Sequence, residues 1–273
     1  MQPINICHEF RYGKIIYNQL DQYIGKSLKL YGEFSQGEAV LFEQLVNPGD
    51  IVAEVGANIG AHTVHLAQLA GPGGKVYAFE PQRLVFQILA GNIAINSLTN
   101  VCCRNQAVGE KMGTVKVPVL DTSKVNNWGG LSLLKDSHGE TTELVTLDSL
   151  GFDRLNLLKA DVEGMELEVL KGAVATIARC RPFLYLEENE DLEDARKKDL
   201  HDFIFEQGYR IYRHTPPLFN PDNYFRNPEN IFLIKQEVNG RHQIMEIVSF
   251  NLLCVPAERN ITVKDMEEIE KQP

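Results

Sequence analysis

The chain has 273 residues, 44% of them hydrophobic, enough for one large core or for one core with a modest appendage. Its 27 lysines and arginines face 37 acids, a formal charge of −10, which argues against nucleic acid or any partner held by neutralising phosphates. The five cysteines are odd in number and show no C-x-x-C spacing, which speaks against a zinc site or a disulfide framework and for reduced thiols in a cytoplasmic compartment.

The first residues mix polar and apolar types without a continuous apolar run, the pattern of neither a signal peptide nor a membrane span, so a soluble protein is expected. Residues 1–46 read as a helical lead-in to one domain over 47–273. A helix is expected over 37–46, where Val40, Leu41, Leu45 and Val46 recur at helical spacing before Pro48-Gly49-Asp50 ends it. Ahead of it, Tyr31-Gly32-Glu33-Phe34-Ser35 puts two aromatics in a short loop, suited either to lying over a ligand or to packing as a turn. Tyr31 and Phe34 are therefore acceptor-site candidates.

Ile51-Val52-Ala53 leads into Glu54-Val55-Gly56-Ala57-Asn58-Ile59-Gly60 and then into a helical pattern from Ala61. Strand, tight glycine loop and helix form a nucleotide-binding geometry: Gly56 and Gly60 permit the bend, and free N–H groups at the helix start point above the strand end. A dinucleotide fingerprint has glycine where Asn58 stands, so that backbone can touch a pyrophosphate. Pyrophosphate is thus a poor guest. Glu54 and, twenty residues after Gly60, Glu80 place carboxylates at the ends of successive strands. S-Adenosylmethionine suits them, having a ribose diol, an ammonium and a sulfonium but no phosphate. His62 and Thr63 at the helix start join the donor-site candidates, with a helical histidine satisfied by its neighbours as the plainer reading of His62.

Lys75 to Glu80 reads as a second strand, Val85, Ile88, Leu89 and Ile93 as one face of a second helix, and 101–105 as a third strand. Residues 113–119 and 143–146 suggest an antiparallel pair around a long loop holding Trp128, either a binding loop or plain surface. An apolar strand then ends at Asp161, followed by a helix with Leu170, Ala173, Val174 and Ile177 on one face. A fifth strand over 182–187 precedes an acidic helix start. Residues 208–213 and 249–255 suggest a closing antiparallel pair, and 219–230, with Tyr224 and Asn227, an excursion over the active face. The charged tail from Glu258 is expected to fray. This alternation implies a doubly wound, mostly parallel α/β sheet with a C-terminal antiparallel hairpin, its ligands at the strand ends where Glu54, Glu80, Asp161 and Glu187 fall.

Methyl transfer from a sulfonium depends chiefly on approach and alignment, but a hydroxyl acceptor gains from a base within hydrogen-bonding reach. Asp161 and Glu163 are the first candidates, followed by Glu187 and His214. Asp161 also suits a helix cap or donor positioning, and Glu163, followed by Glu166, suits a helix start. Asp161, Glu187 and Asn189 offer oxygen ligands that would suit magnesium, although strand-end acids have simpler uses and the reading needs no metal. From other classes, an NAD-dependent oxidoreductase would want glycine at position 58, and a binding module would retain the fold without a base.

Glu54 to Gly60, Tyr77-Ala78-Phe79-Glu80-Pro81, Gln106-Ala107-Val108-Gly109 and the run Asp161-Val162-Glu163-Gly164-Met165-Glu166 through Ala173 together resemble the blocks of FkbM-family methyltransferases. That family is a branch of the S-adenosylmethionine-dependent Rossmann-like enzymes, of the class I methyltransferase type. The resemblance implies that Glu80, beside Pro81, holds the ribose hydroxyls. It places Gly56, Ala57, Asn58 and Gly60 against the methionyl portion, and Gln106 and Ala107 beside the adenine. It further implies O-methylation of a small-molecule acceptor, a sugar or natural product, with no nucleic acid or membrane partner. The family usually opens its glycine loop with aspartate, where this chain has Glu54.

Overall fold

The structure, a computed structural model, describes residues 4–119, 121, 124–125, 127, 139–188, 192–238 and 241–271. Trp128 and Asn189 lie outside the described residues. The chain opens with a hairpin of β1 (Asn5–Phe10) and β2 (Gly13–Asn18), then α1 (Ile24–Tyr31) and α2 (Gln36–Leu45). Strands and helices then alternate through β3 (Ile51–Val55), α3 (Ala61–Ala70), β4 (Lys75–Phe79), α4 (Arg83–Ile95) and β5 (Val101–Arg104). A small sheet of β6 (Gln106–Val108), β7 (Gly113–Val117) and β8 (Glu140–Val145) follows. Next come β9 (Leu157–Ala160), α5 (Glu166–Lys171), α6 (Val174–Cys180), β10 (Phe183–Glu187), α7 (Asp194–Glu206) and β11 (Tyr209–His214). A second hairpin, β12 (Leu233–Val238) with β13 (Arg241–Glu246), precedes β14 (Asn251–Pro256) and β15 (Glu267–Ile269).

The eight-stranded central sheet has the order β15-β11-β14-β10-β9-β3-β4-β5. Its strands from β5 to β10 are parallel, and β14 runs antiparallel to both β10 and β11. The order reverses between β3 and β9, opening a crevice beyond their carboxyl ends, the place where such sheets hold ligands. Alternate residues of the strands bury against two helical layers. Ala53, Val55, Leu158 and Ala160 pack with Val169, Ile177 and Ile204 from α5, α6 and α7. Val52, Leu157 and Tyr185 pack on the other face with Phe42 and Leu66 from α2 and α3. The doubly wound sheet and its closing antiparallel pair are thus present as the periodicity implied.

The lead-in differs from its sequence reading. The helix over 37–46 is there as α2, but a hairpin precedes it and is fastened to α4: Asn92 accepts the Ile16 N–H at 2.6 Å and donates to the Ile16 and Ile59 carbonyls. Phe10, Ile15 and Leu28 share one apolar cluster with Ala57, Val64 and Leu89, so no core boundary falls at residue 46. The tail does not simply fray either, since Arg181 pairs with Glu258 at 2.8 Å and β15 adds to the sheet edge beside β11.

Candidate functional site

The glycine loop is shaped by the strand beside it. A Cβ on Gly56 would stand 1.8 Å from the Asp161 carbonyl oxygen, and the residue has φ +79°, so only glycine lets β3 and β9 approach so closely here. The loop then consumes its own donors. Gly56 and Ala57 donate to the Phe79 carbonyl, Asn58 to Glu80 Oε2 at 3.0 Å, Ile59 to the Asn58 side chain and Gly60 to the Ala57 carbonyl. The amides of residues 56–60 are therefore tied up within the loop and its neighbouring strand end, ahead of the helix start at Ala61. This is a firmer reason than the side chain at position 58 for the loop not to cradle a pyrophosphate, since each of these amides is already satisfied.

Glu80 follows β4 and is 4% exposed. Its Oε1 accepts the Gln82 N–H at 2.8 Å and its Oε2 that of Asn58, which aims the carboxylate while leaving each oxygen a further lone pair. Burial raises its pKa to about 7 against the pull of those two bonds. Asn105 donates to the Glu80 and Pro81 carbonyls at 2.9 and 3.1 Å, and Thr142 also to Pro81. Beyond them, Ala107 is buried, and Gln106 donates to Glu143 at 2.6 Å.

Behind the loop lies a row of polar groups across the sheet. Register sets Glu54 beside Lys159 and Lys159 beside Tyr185. Lys159 is 2% exposed, with Nζ 3.3 Å from Asp161 Oδ2 and 4.0 Å from Glu54 Oε1. Burial alone would lower its pKa, but Asp161, Glu54 and Glu38 more than reverse this and hold it above its ordinary value. Glu54 faces this row rather than the crevice: Thr63 donates to it at 2.6 Å, and burial lifts its pKa to about 7. Glu54 and Thr63, both expected at the donor site, are thus bonded to each other and lie beside Lys159. From α2, Glu38 accepts the Ser35 hydroxyl at 2.7 Å and lies 3.7 Å from His62 Nε2. His62 is no satisfied histidine: its Nε2 has no hydrogen-bond partner, and burial with Lys159 nearby keeps its pKa far below the usual value.

At the crevice itself, Asp161, Glu163 and Glu187 bring carboxylate oxygens within 4.8 Å of one another. Glu166, not Glu163, fills the helix-start role, accepting the Val162 and Gly164 N–H groups; this leaves Glu163 in a left-handed turn at φ +53°. Burial, then Asp161 and Glu163, hold the Glu187 carboxyl well above the usual carboxylate range. His214, at the end of β11, meets the Tyr185 hydroxyl through Nδ1 at 2.9 Å, and burial lowers its pKa to about 4. Sequence reasoning missed Lys159, Glu38 and Asn105. A lysine inside the apolar run Leu157-Leu158-Lys159-Ala160 was the visible signal for the first; nothing local marked the others.

The acceptor candidates separate. Tyr31 is 1% exposed, with its hydroxyl donating to the Glu229 carbonyl and accepting the Ile231 N–H, the position of a core residue. Asn227 is likewise engaged, accepting from Glu229 of its own loop and donating to the Leu30 carbonyl of α1. Phe34 is partly buried beside His62, and Tyr224 is 45% exposed. The segment 219–230 is anchored by Glu33, which pairs with Arg11 at 2.6 Å and accepts from Asn220 and the Tyr224 N–H.

A family model described as the methyltransferase FkbM domain matches residues 54–211. The chain is 28% identical over 158 residues to methyltransferase sdnD of Sordaria araneosa, covering 44% of this chain and 59% of that one. It is 31% identical over 128 residues to the hexuronic acid methyltransferase AglP of Haloferax volcanii, covering 45% and 49% respectively. The chain spans 59% of the first of these relatives and 49% of the second, about half the length of each. Among solved structures, methyltransferase FkbM from Methylobacillus flagellatus superposes with a TM-score of 0.48 at 16% identity, over 85% of this chain and 55% of that one.

Proposed function

On the premise that the chain belongs to the FkbM methyltransferase family, we propose that it transfers the methyl group of S-adenosylmethionine to a hydroxyl oxygen of a small polyhydroxylated acceptor, a sugar or related natural product. The observation that carries this reading is the buried Glu80 carboxylate, aimed by Asn58 and Gln82 beside a loop whose amides are already satisfied. Such a carboxylate accepts a diol and repels a phosphate. The donor supplies an electrophilic methyl on a sulfonium, a positive charge that the acids around the crevice favour.

The chain's own residues then have two tasks. Gly56 to Gly60, Glu80 and the Gln106-Ala107 corner fix one reactant at the carboxyl ends of β3 and β4, and alignment accounts for much of the rate. Asp161, at the carboxyl end of β9, has 43% of its side chain exposed and its Oδ2 held by Lys159. We assign it the acceptor hydroxyl, whose proton it takes as the new C–O bond forms. Glu163 and Glu187 stand close enough to share that task. Similarity to AglP, a hexuronic acid methyltransferase, supports a sugar acceptor.

The test is calorimetry with S-adenosylhomocysteine. Glu80→Ala is expected to abolish binding while circular dichroism and the unfolding transition stay those of a folded protein; wild-type affinity in that variant would remove the assignment.

A further inference from the structure

We propose that the excursion between β11 and β14 is a self-association surface, through which two copies of this chain form a two-fold symmetric dimer. Half of the exposed large apolar side chains among the described residues fall within 224–245: Tyr224, Phe225, Leu233, Ile234, Ile244 and Met245, each 41–68% exposed. The aromatic pair and the root of the hairpin adjoin the same buried residue, Tyr31. Its carbonyl accepts the Phe225 N–H, its hydroxyl accepts the Ile231 N–H, and its ring lies 6.0 Å from that of Phe232.

The hairpin finds little cover in its own chain. Its root is fastened, since Ile247 donates to the Phe232 carbonyl and Leu218 to the Ile247 carbonyl. Beyond the root, β12 and β13 pair with each other as a two-stranded sheet apart from the central one. Register puts Leu233 and Ile244 on one face and Ile234 opposite Met245 on the other. All four are exposed, so neither face packs on the body of the molecule. A two-stranded ribbon in that position is marginally stable at best, and gains its stability from further strands or from a covered apolar face.

Area and charge select a second copy as that cover. Six large side chains about half open leave on the order of 600 Å² of apolar surface per chain, the upper end of what a monomer carries. Two such patches together bury about 1,200 Å², where stable specific interfaces begin. Two aromatics and a methionine among six apolar residues match the composition of an interface core. Lys235 and Glu246, both exposed, share the Leu233–Ile244 face at diagonal positions. A two-fold axis sets Lys235 against Glu246 of the partner subunit, and the reverse, so the surface is complementary to itself. A net charge of −10 opposes the other broad class of apolar cover, an anionic lipid surface.

Sedimentation equilibrium of the chain without donor or acceptor tests this apart from the methyl-transfer reading. The wild type is expected at twice the chain mass at about 50 µM. Ile244→Glu and Met245→Glu each set like charges against one another across the two-fold axis and are expected to weaken association at least about tenfold. Both side chains already stand largely in solvent, so the fold of the single chain is not at stake, and circular dichroism checks it. Met112→Glu, at an exposed apolar residue outside the patch, keeps wild-type association. Thermal unfolding gives a second readout: the wild-type midpoint rises with protein concentration, and those of the two hairpin variants do not. A wild type that stays monomeric at about 100 µM overturns the proposal. If that monomer sediments with phosphatidylcholine vesicles, the patch is a lipid contact instead. Association that is equally strong in wild type and both hairpin variants, or equally weakened by Met112→Glu, overturns it as well, because the contact then lies elsewhere.

Discussion

Glu80 shows what a single side chain contributes and what its surroundings add. Its type and its place at the end of β4 were readable, but the bonds from Asn58 and Gln82 and its near-complete burial were not. Burial gives a sign that can be tested. A carboxyl whose pKa is about 7 in the folded chain and 4.5 otherwise binds its proton more tightly when folded. It therefore stabilises the fold below pH 4.5, and that contribution is lost as pH rises toward 7, a change on the order of 3 kcal/mol for this group. Glu80→Gln cannot titrate and keeps an acceptor for only one of the two N–H groups, a loss that is the same at every pH. Urea unfolding of the two proteins between pH 4.5 and 7.5 should show the wild type losing stability relative to the variant as pH rises; parallel curves would mean that Glu80 is solvated. Lys159 teaches the converse. A lysine in an apolar strand was visible as an anomaly, yet its three carboxylate neighbours come from β3, from the end of β9 and from α2, more than a hundred residues away.

At the scale of elements, the periodicities of two and of 3.6 residues account for the central strands and their covering helices, because each pattern reports which side of an element meets apolar neighbours. They recover the antiparallel pairs β7–β8 and β11–β14 but not the first hairpin. The first hairpin alternates polar and apolar residues, but its reason for existing is its partner: Asn92 of α4 and Asn96 just after it hold the β2 backbone through Ile16 and Lys14. The glycine loop is likewise a property of two elements. Gly56 was legible as the start of a turn, whereas its close approach to Asp161 arises only from the β3–β9 pairing. Gly56→Ala would drive a methyl group into that carbonyl and impose positive φ on a residue with a Cβ. We expect a loss of about 3 kcal/mol or more in urea unfolding, together with weakened S-adenosylhomocysteine binding. A variant that matches wild type in both would show that β3 and β9 can separate at little cost.

For the whole molecule, the reversal of strand order between β3 and β9 places the loop, Glu80 and the acid cluster at one edge of the sheet. A ligand that binds there only in the folded state must stabilise the entire cooperative unit. S-Adenosylhomocysteine at about 100 times its dissociation constant should add about 2.7 kcal/mol, and thermal unfolding should rise by several degrees. NADH at the same concentration should leave the transition where it was, since the loop amides are spent; the reverse pattern would favour an oxidoreductase. Among the described residues no helix is long and apolar enough to cross a membrane.

The amino-acid order by itself determined the alternation of strands and helices, the two glycines of the loop and the acids at the strand ends, because these depend on residue type and on spacing within one element. Tertiary structure alone decided that Glu54 turns inward to Lys159 and Thr63, that Tyr31 and Asn227 serve the scaffold, and that Asp161, Glu163 and Glu187 converge. The physical reason is that burial and charge proximity belong to pairs of groups distant along the chain, and only the folded backbone brings those pairs within reach.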